Sequence, residues 1–214
     1  MANLSNEQLT ALRVDYSLKI FDETVVLNDP FEQFAIWFEE ALTAGIPEPN
    51  AMTLATVKPD LTPSARIVLL KGATKEGFSF FTNYESDKGV QLAARPHAAL
   101  VFNWLELQRQ VRIEGSVERL SAEDNDVYFY SRPLGSQIGA IASPQSKVIA
   151  HRDDLEAAFK SAQNQPTIKR PENWGGYLVK PKRIEFWQGR SNRLHDRFVF
   201  IKDENAWIKN RLAP

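Results

Sequence analysis

Hydrophobic and polar positions along this chain follow two different periods, and the switches between them outline the elements. Residues 1–28 are polar and weakly periodic, an arm with a short helix expected near 7–13. The first firm element opens at Asp29-Pro30. Asp29 is a good N-cap, Pro30 suits the first helical position, and Glu32 stands three residues after the cap. Phe31, Phe34, Ala35, Phe38, Ala41 and Leu42 then recur at helical spacing until Gly45, predicting an amphipathic helix packed on the core.

From residue 51 to 120 the period drops toward two. Segments 51–58, 64–71, 77–82, 98–104 and 110–120 are rich in Val, Ile, Phe and Thr, and polar turns such as Lys58-Pro59-Asp60 and Lys75-Glu76-Gly77 separate them. Closely spaced strands without crossover helices predict an antiparallel meander that curls into a barrel, broken by a short helix over 87–94. Helical signals return at Ser121, with Asp124 three residues on, and stop at Arg132-Pro133. Further helices are expected over 136–142 and 153–163, and strands over 174–179, 183–187, 193–201 and 206–212. The fold class is mainly β with flanking α-helices: an arm over residues 1–28, then one domain over 29–214.

Composition narrows the function classes. With 214 residues, 43% of them hydrophobic and 25% charged, the chain has the make-up of a soluble globular protein. Its 26 basic and 27 acidic residues nearly cancel, so no overall field favours nucleic acid or an anionic membrane, although a local cationic pocket is compatible. Cysteine is absent, which removes disulfides, thiolate metal sites and a cysteine nucleophile. His97, His151 and His195 are too scattered to suggest a metal cluster. No apolar run approaches 18 residues and no basic start precedes an apolar run, so a cytoplasmic protein is expected. Dinucleotide-binding, P-loop and nucleophile-elbow motifs are missing.

Four constellations carry candidate chemistry. If 193–197 is extended, Arg193, His195 and Arg197 share one face about 6.5 Å apart. Such a row suits an anionic or electron-rich planar ligand, and equally a solvated edge strand guarded by charge. Arg66 and Lys71 have opposite parity on one strand and are expected on opposite faces, either as two anion sites or as solvated strand ends. Tyr128, Arg132 and Ser136 recur every four residues across a helix end, making a phosphate cup or simply a polar helix flank. Gln145-Ser146-Lys147 follows Pro144 in a loop that can offer amide, hydroxyl and ammonium groups.

These segments together resemble the pyridoxamine 5′-phosphate oxidase family of FMN-binding split-barrel flavoenzymes. The matching pieces occur in order: Arg13 and Tyr16, Arg66 to Lys71, Phe81-Thr82-Asn83, Ser86 to Gln91, Arg109-Gln110-Val111, and Ser131-Arg132-Pro133 through Ala140. Gln145-Ser146, Trp174-Gly175-Gly176, Ile184 to Gly189, and Arg193-Leu194-His195-Asp196-Arg197-Phe198 complete them. The resemblance implies that Arg66, Lys88 and Ser146 hold the FMN phosphate, assisted by Thr82 and Gln145, with Ile67, Val68, Leu69, Leu70, Lys71 and Phe81 also along the cofactor. It implies that Gln110, Trp187 and Arg197 touch the rest of the flavin, some of them from the partner subunit of a homodimer. Lys71, Tyr128, Arg132 and Ser136 would grip the substrate phosphate. Arg193, Leu194 and His195 would set the pyridine ring over the flavin, with Arg193 and His195 as the catalytic pair and Arg13 and Tyr16 as a mobile lid. The implied reaction is oxidation of pyridoxamine or pyridoxine 5′-phosphate by O2.

Two positions depart from the family pattern: Asp87 stands where arginine is usual before the lysine, and Ile141 where tryptophan is frequent. A carboxylate about 4 Å from a bound phosphate would cost up to roughly 4 kcal/mol at an effective dielectric near 20. Asp87 is therefore expected to turn to solvent, or to be offset by Lys147. The competing readings are a barrel oxidase acting on another reduced ring, such as a dihydrophenazine precursor, and a non-catalytic carrier of flavin or pyridoxal phosphate.

Overall fold

The computed structural model describes residues 6–12, 15–204 and 206–214. Arg13 lies outside the described residues. The chain opens with helices α1 (Asn6–Ala11) and α2 (Pro30–Thr43), followed by strands β1 (Ala51–Val57), β2 (Pro63–Leu69), β3 (Gly72–Thr74) and β4 (Gly77–Asn83). Helix α3 (Asp87–Ala94) precedes β5 (His97–Trp104) and β6 (Arg109–Arg119). Helices α4 (Ala122–Ser131), α5 (Leu134–Ala142) and α6 (Arg152–Gln163) follow, then β7 (Trp174–Gln188), β8 (Asp196–Asp203) and β9 (Ala206–Arg211).

The elements form two compact units, each discontinuous in sequence. The first comprises residues 1–49, 103–111 and 184–214; the second comprises 50–102 and 112–183. The second carries the strand order β2-β1-β5-β6-β7-β4-β3, with antiparallel pairs such as Ala51↔Leu69 and Thr53↔Val101. In β1 every second residue is buried, and Met52, Leu54, Phe78, Phe80, Leu100 and Phe102 form its core. In the first unit β8 pairs with β9 in the register Phe198↔Arg211. There Phe21 lies 4.7 Å from Trp37 and 5.3 Å from Phe198 between ring centroids, in tilted and edge-on packing.

The caps read from the pattern are present. Asp29 accepts hydrogen bonds from the Phe31 and Glu32 amides, and the Ser121 hydroxyl accepts from Asp124 N. The short strand β3 was not expected from the sequence, and two later elements also differ from expectation. Segments 174–179 and 183–187 are one strand, because Lys180 and Lys182 are outward residues of a continuing alternation around buried Pro181. Lys180 pairs there with Glu118 at 2.6 Å, and Arg183 with Glu114 at 3.0 Å. The strand expected from 193 begins only at Asp196, since Asn192 and Arg193 adopt left-handed φ values of 56° and 61°. No helix among the described residues is long and apolar enough to cross a membrane.

Candidate functional site

The second unit contains an open cleft of about 860 Å³, within the range of ligand sites. Strand β2 forms one wall. It stands at the end of the strand order, so a cleft along it can receive residues from both faces. Arg66 and Lys71 accordingly line the same cleft, contrary to the opposed placement that parity suggested. The strand ends at Leu69, which also releases Lys71 from the alternation.

The cleft is lined by two cations, Lys88 and Arg66, whose hydrogen-bond partners are neutral oxygens. Lys88 is buried in the first turn of α3, and its Nζ donates to Thr82 Oγ1 at 3.1 Å and Ser86 Oγ at 3.2 Å. Ser86 caps that helix, and Gly89 lets it abut the strand exit, since a Cβ there would sit 2.1 Å from the Tyr84 carbonyl oxygen. Burial pushes the Lys88 ammonium below its ordinary pKa, and the Arg66 charge pushes the same way; Asp87 opposes both. Arg66 donates to Thr56 Oγ1 at 2.5 Å, Ser64 Oγ at 2.7 Å and Gln91 Oε1 at 3.0 Å. Burial lowers its pKa too, again opposed by Asp87. Gln145 Oε1 accepts from Thr82 Oγ1 and Asn83 N, which fixes the loop carrying Ser146, itself at φ 71°. Two adjacent cations among neutral donors and acceptors are the chemistry of a phosphate site.

A second cationic group lines the same cleft. Arg132 terminates α4 in an extended conformation, as Pro133 requires of its predecessor. Its guanidinium lies 4.6 Å from the Trp174 ring centre, and Nη1 is buried with no hydrogen-bond partner. An orphaned, desolvated N–H group of this kind calls for an acceptor. Tyr128 stacks on Phe81 at 3.9 Å between centroids, and Ser136 and exposed Lys71 also line the cleft. The helix-end cup expected from the four-residue spacing thus has its members in one cleft.

Ile67, Val68, Leu69, Phe81, Thr82, Gln145 and Ser146 line the cleft as well; Leu70 does not, being buried with its amide on Asn50 O. Asp87 is exposed yet lines the cleft, whereas Lys147 lines a neighbouring hollow of about 360 Å³. Lys147 thus does not line the cleft that Asp87 lines. Trp174, which backs both Arg132 and Phe81, was given no role from sequence. Its place within a Trp-Gly-Gly triplet was the available signal.

The remaining expected residues belong to the first unit. Leu12, Asp15, Tyr16, Arg190, Asn192, Arg193 and His195 line a hollow of about 520 Å³, while Gln110 and Trp187 line another of about 250 Å³ together with Tyr16. Arg193 is exposed on its turn, so the single face expected for Arg193, His195 and Arg197 does not form. The Leu194 amide closes that turn on Ser191 O, and the Leu194 side chain is exposed. The His195 ring lies 4.6 Å from Trp187 and 6.0 Å from Tyr16. Gly189 makes room for Tyr16, whose ring carbons a Cβ would approach to 2.8 Å. Burial, followed by the Arg193 and Arg197 charges, lowers the His195 pKa, with Asp196 acting against them. Arg197 is already engaged: it grips buried Glu185 at 2.7 and 2.9 Å. No cluster of potential metal ligands occurs among the described residues.

Comparison with known proteins bears on the family and the fold. Residues 38–165 match the family described as pyridoxamine 5′-phosphate oxidase, and residues 174–214 match its pyridoxine 5′-phosphate oxidase C-terminal dimerisation region. The pyridoxine/pyridoxamine 5′-phosphate oxidase of Burkholderia lata is 56% identical over 211 residues, 96% of this chain and 99% of the relative. That of Salinibacter ruber is 54% identical over 213 residues, covering 97% and 99%. Among solved structures, PhzG from Burkholderia lata, in complex with tetrahydrophenazine-1-carboxylic acid, superimposes with a TM-score of 0.86 at 29% identity, covering 92% of this chain and 98% of PhzG. A pyridoxamine 5′-phosphate oxidase-related, FMN binding protein from Nostoc punctiforme shares the fold, with a TM-score of 0.71 at 16% identity and coverage of 88% and 100%. The mainly antiparallel split barrel with flanking helices is thus the fold found, and the chain belongs to the pyridoxamine 5′-phosphate oxidase family.

Proposed function

We propose that this chain is an FMN-dependent oxidase that converts pyridoxamine 5′-phosphate and pyridoxine 5′-phosphate to pyridoxal 5′-phosphate, with O2 as the final acceptor. It releases hydrogen peroxide, and ammonia as well when the substrate is the amine. It works as a cytoplasmic homodimer with the flavin at the subunit interface, in pyridoxal phosphate biosynthesis and salvage. The observation that carries this reading is the cleft of the second unit, where Arg66 and Lys88 form one anion-receptive group and Arg132 supplies another with an orphaned N–H. Two phosphates, one on the cofactor and one on the substrate, match two such groups.

Bound FMN would supply a two-electron acceptor for oxidation at the substrate C4′ carbon, one that O2 can reoxidise. The protein's residues bind and orient. Lys88, Arg66 and Ser146 hold the cofactor phosphate, with Thr82 and Gln145 setting the geometry of that pocket. Lys71, Tyr128, Arg132 and Ser136 hold the substrate phosphate, and the stacked rings of Phe81, Tyr128 and Trp174 keep water from its flank. Gln110, Trp187 and Arg197 complete the flavin contacts, some of them from the partner subunit. Arg193 and His195 orient the pyridine ring, a contribution of alignment rather than of covalent chemistry. Tyr16, with Arg13, closes over the substrate.

Aerobic turnover of the FMN-loaded protein with pyridoxamine 5′-phosphate tests this reading. Equimolar aldehyde and peroxide are expected; flavin-loaded protein that forms neither would reject it. The likeness to PhzG supports a second reading, oxidation of a reduced phenazine-type ring. That reading predicts turnover of an unphosphorylated ring that is indifferent to Arg132→Ala. The higher identity and near-complete coverage of the pyridoxine/pyridoxamine 5′-phosphate oxidases favour the first.

A further inference from the structure

Within the first unit, the imidazole of His195 is held by a backbone contact of defined polarity. The Arg190 amide donates to His195 Nδ1 at 3.1 Å, so Nδ1 must carry a lone pair. A neutral ring in this setting has its proton on Nε2. Protonating Nδ1 would oppose two N–H groups and break the contact.

The position of the Arg190 amide is set in turn by its neighbours. On one side Gly189 N donates to Gln108 O at 2.7 Å. On the other, the Arg190 guanidinium donates to Asp196 Oδ2 at 2.9 Å. Asp196 is 8% exposed and is the hub of this region. Its Oδ2 also accepts from Phe21 N at 3.1 Å, and its Oδ1 accepts from Arg211 Nη1 at 2.9 Å. One buried carboxylate therefore ties the N-terminal arm, the 189–195 turn and the last strand together. A buried carboxylate is costly unless its oxygens are satisfied in this way.

We infer that Asp196 is a positioning residue that, through the Arg190 turn, holds His195 as a neutral imidazole protonated on Nε2 and so as a fixed hydrogen-bond donor. The inference rests on the proposed function only for what His195 donates to, the substrate ring. Among the described residues, the charged and titratable groups around the imidazole are Asp15, Tyr16, Arg190, Arg193, Asp196 and Arg197, and the arginines outnumber the carboxylates. Their balance acts in the same direction as the geometry.

The chain has only three histidines, so holoenzyme labelled with [15N]histidine gives a tractable spectrum, and His195→Asn identifies the His195 signals. At about pH 6, where an ordinary imidazole of pKa about 6.5 is mostly charged, His195 is expected to show a bare Nδ1 and a protonated Nε2. Arg190→Met removes the side-chain anchor but keeps the amide and leaves Asp196 its Phe21 and Arg211 donors. It should populate both tautomers, raise the acid limb of the pH profile and lower kcat about tenfold with little change in KM. Asp196→Asn should also mix the tautomers. A doubly protonated His195 at about pH 6 in the wild type overturns the inference. So does an Arg190→Met protein that keeps a single tautomer and wild-type kcat, since a purely structural role would lower the melting temperature and leave both untouched. Wild-type protein with the expected tautomer but without turnover on either vitamer phosphate would reject the proposed function and leave this inference standing.

Discussion

Cationic side chains are treated in opposite ways in the cleft of the second unit and among the ion pairs of the first. In the cleft of the second unit, Lys88 and Arg66 are partly desolvated, and their hydrogen bonds go to hydroxyl, amide and carbonyl oxygens. In the first unit, Arg197 is matched to Glu185, Arg190 to Asp196, and Arg211 to both Asp196 and Glu23. A cation buried among neutral oxygens keeps its field available to a ligand, whereas one paired with a carboxylate has spent it on holding the chain. The partner, more than the residue type, separates a receptor from a scaffold.

The largest effect is expected where that contrast is sharpest. Lys88→Met should weaken FMN binding about 100-fold, the scale of losing a charged hydrogen bond, as read by flavin fluorescence titration. The same change should not lower the melting temperature of the FMN-free protein, because it removes a desolvated cation whose hydrogen bonds go to hydroxyls and not to a carboxylate. A large drop in that temperature would place Lys88 with the scaffold instead. Arg132→Ala should raise KM for the phosphorylated substrate about tenfold, with a smaller change in kcat, because the lost contact is to a part of the substrate that does not react. Equal loss with an unphosphorylated ring would break the assignment of Arg132 to a phosphate.

Smaller effects sharpen the comparison further. Asp87 is exposed and screened, so Asp87→Asn should tighten FMN binding only about threefold, and less at high salt. Weaker binding would mean that Asp87 organises Arg66 and Lys88 and does not merely oppose an anion. The smallest effect concerns the scaffold's pH dependence. The Arg211 hydrogen bond holds the Glu23 carboxyl down at about 2, below its ordinary 4.5. Its folded pKa lies below the unfolded one, so its contribution is present above about 4.5 and fades as pH falls toward about 2. Glu23→Gln should flatten acid unfolding over that window. An unchanged slope would show that the pair is fully screened.

Most elements and most cleft residues were legible in advance. Period and caps located α2, α4 and most of the strands, because Asp29 and Ser121 act on amides only a few residues away. The order of the motif segments also pointed to Arg66, Lys88, Thr82, Tyr128, Arg132, Gln145 and Ser146, which line one cleft. Parity misled for Arg66 and Lys71, since alternation holds only while a strand lasts and β2 stops at Leu69. It misled again for Arg193, where the left-handed pair Asn192-Arg193 replaces extended chain.

What the sequence determined by itself is what depends on near neighbours: helix caps, strand alternation, turn positions, and the ordered motifs that place the chain in its family. Which cations are neutralised was decided only by tertiary structure, because Glu185 and Arg197, or Asp196 and Phe21, meet through the packing of separate segments. The same holds for Asp196 and Arg190, six residues apart yet joined only because the intervening turn folds back. Electrostatic roles follow distance in space and burial, and neither can be read from spacing along a chain.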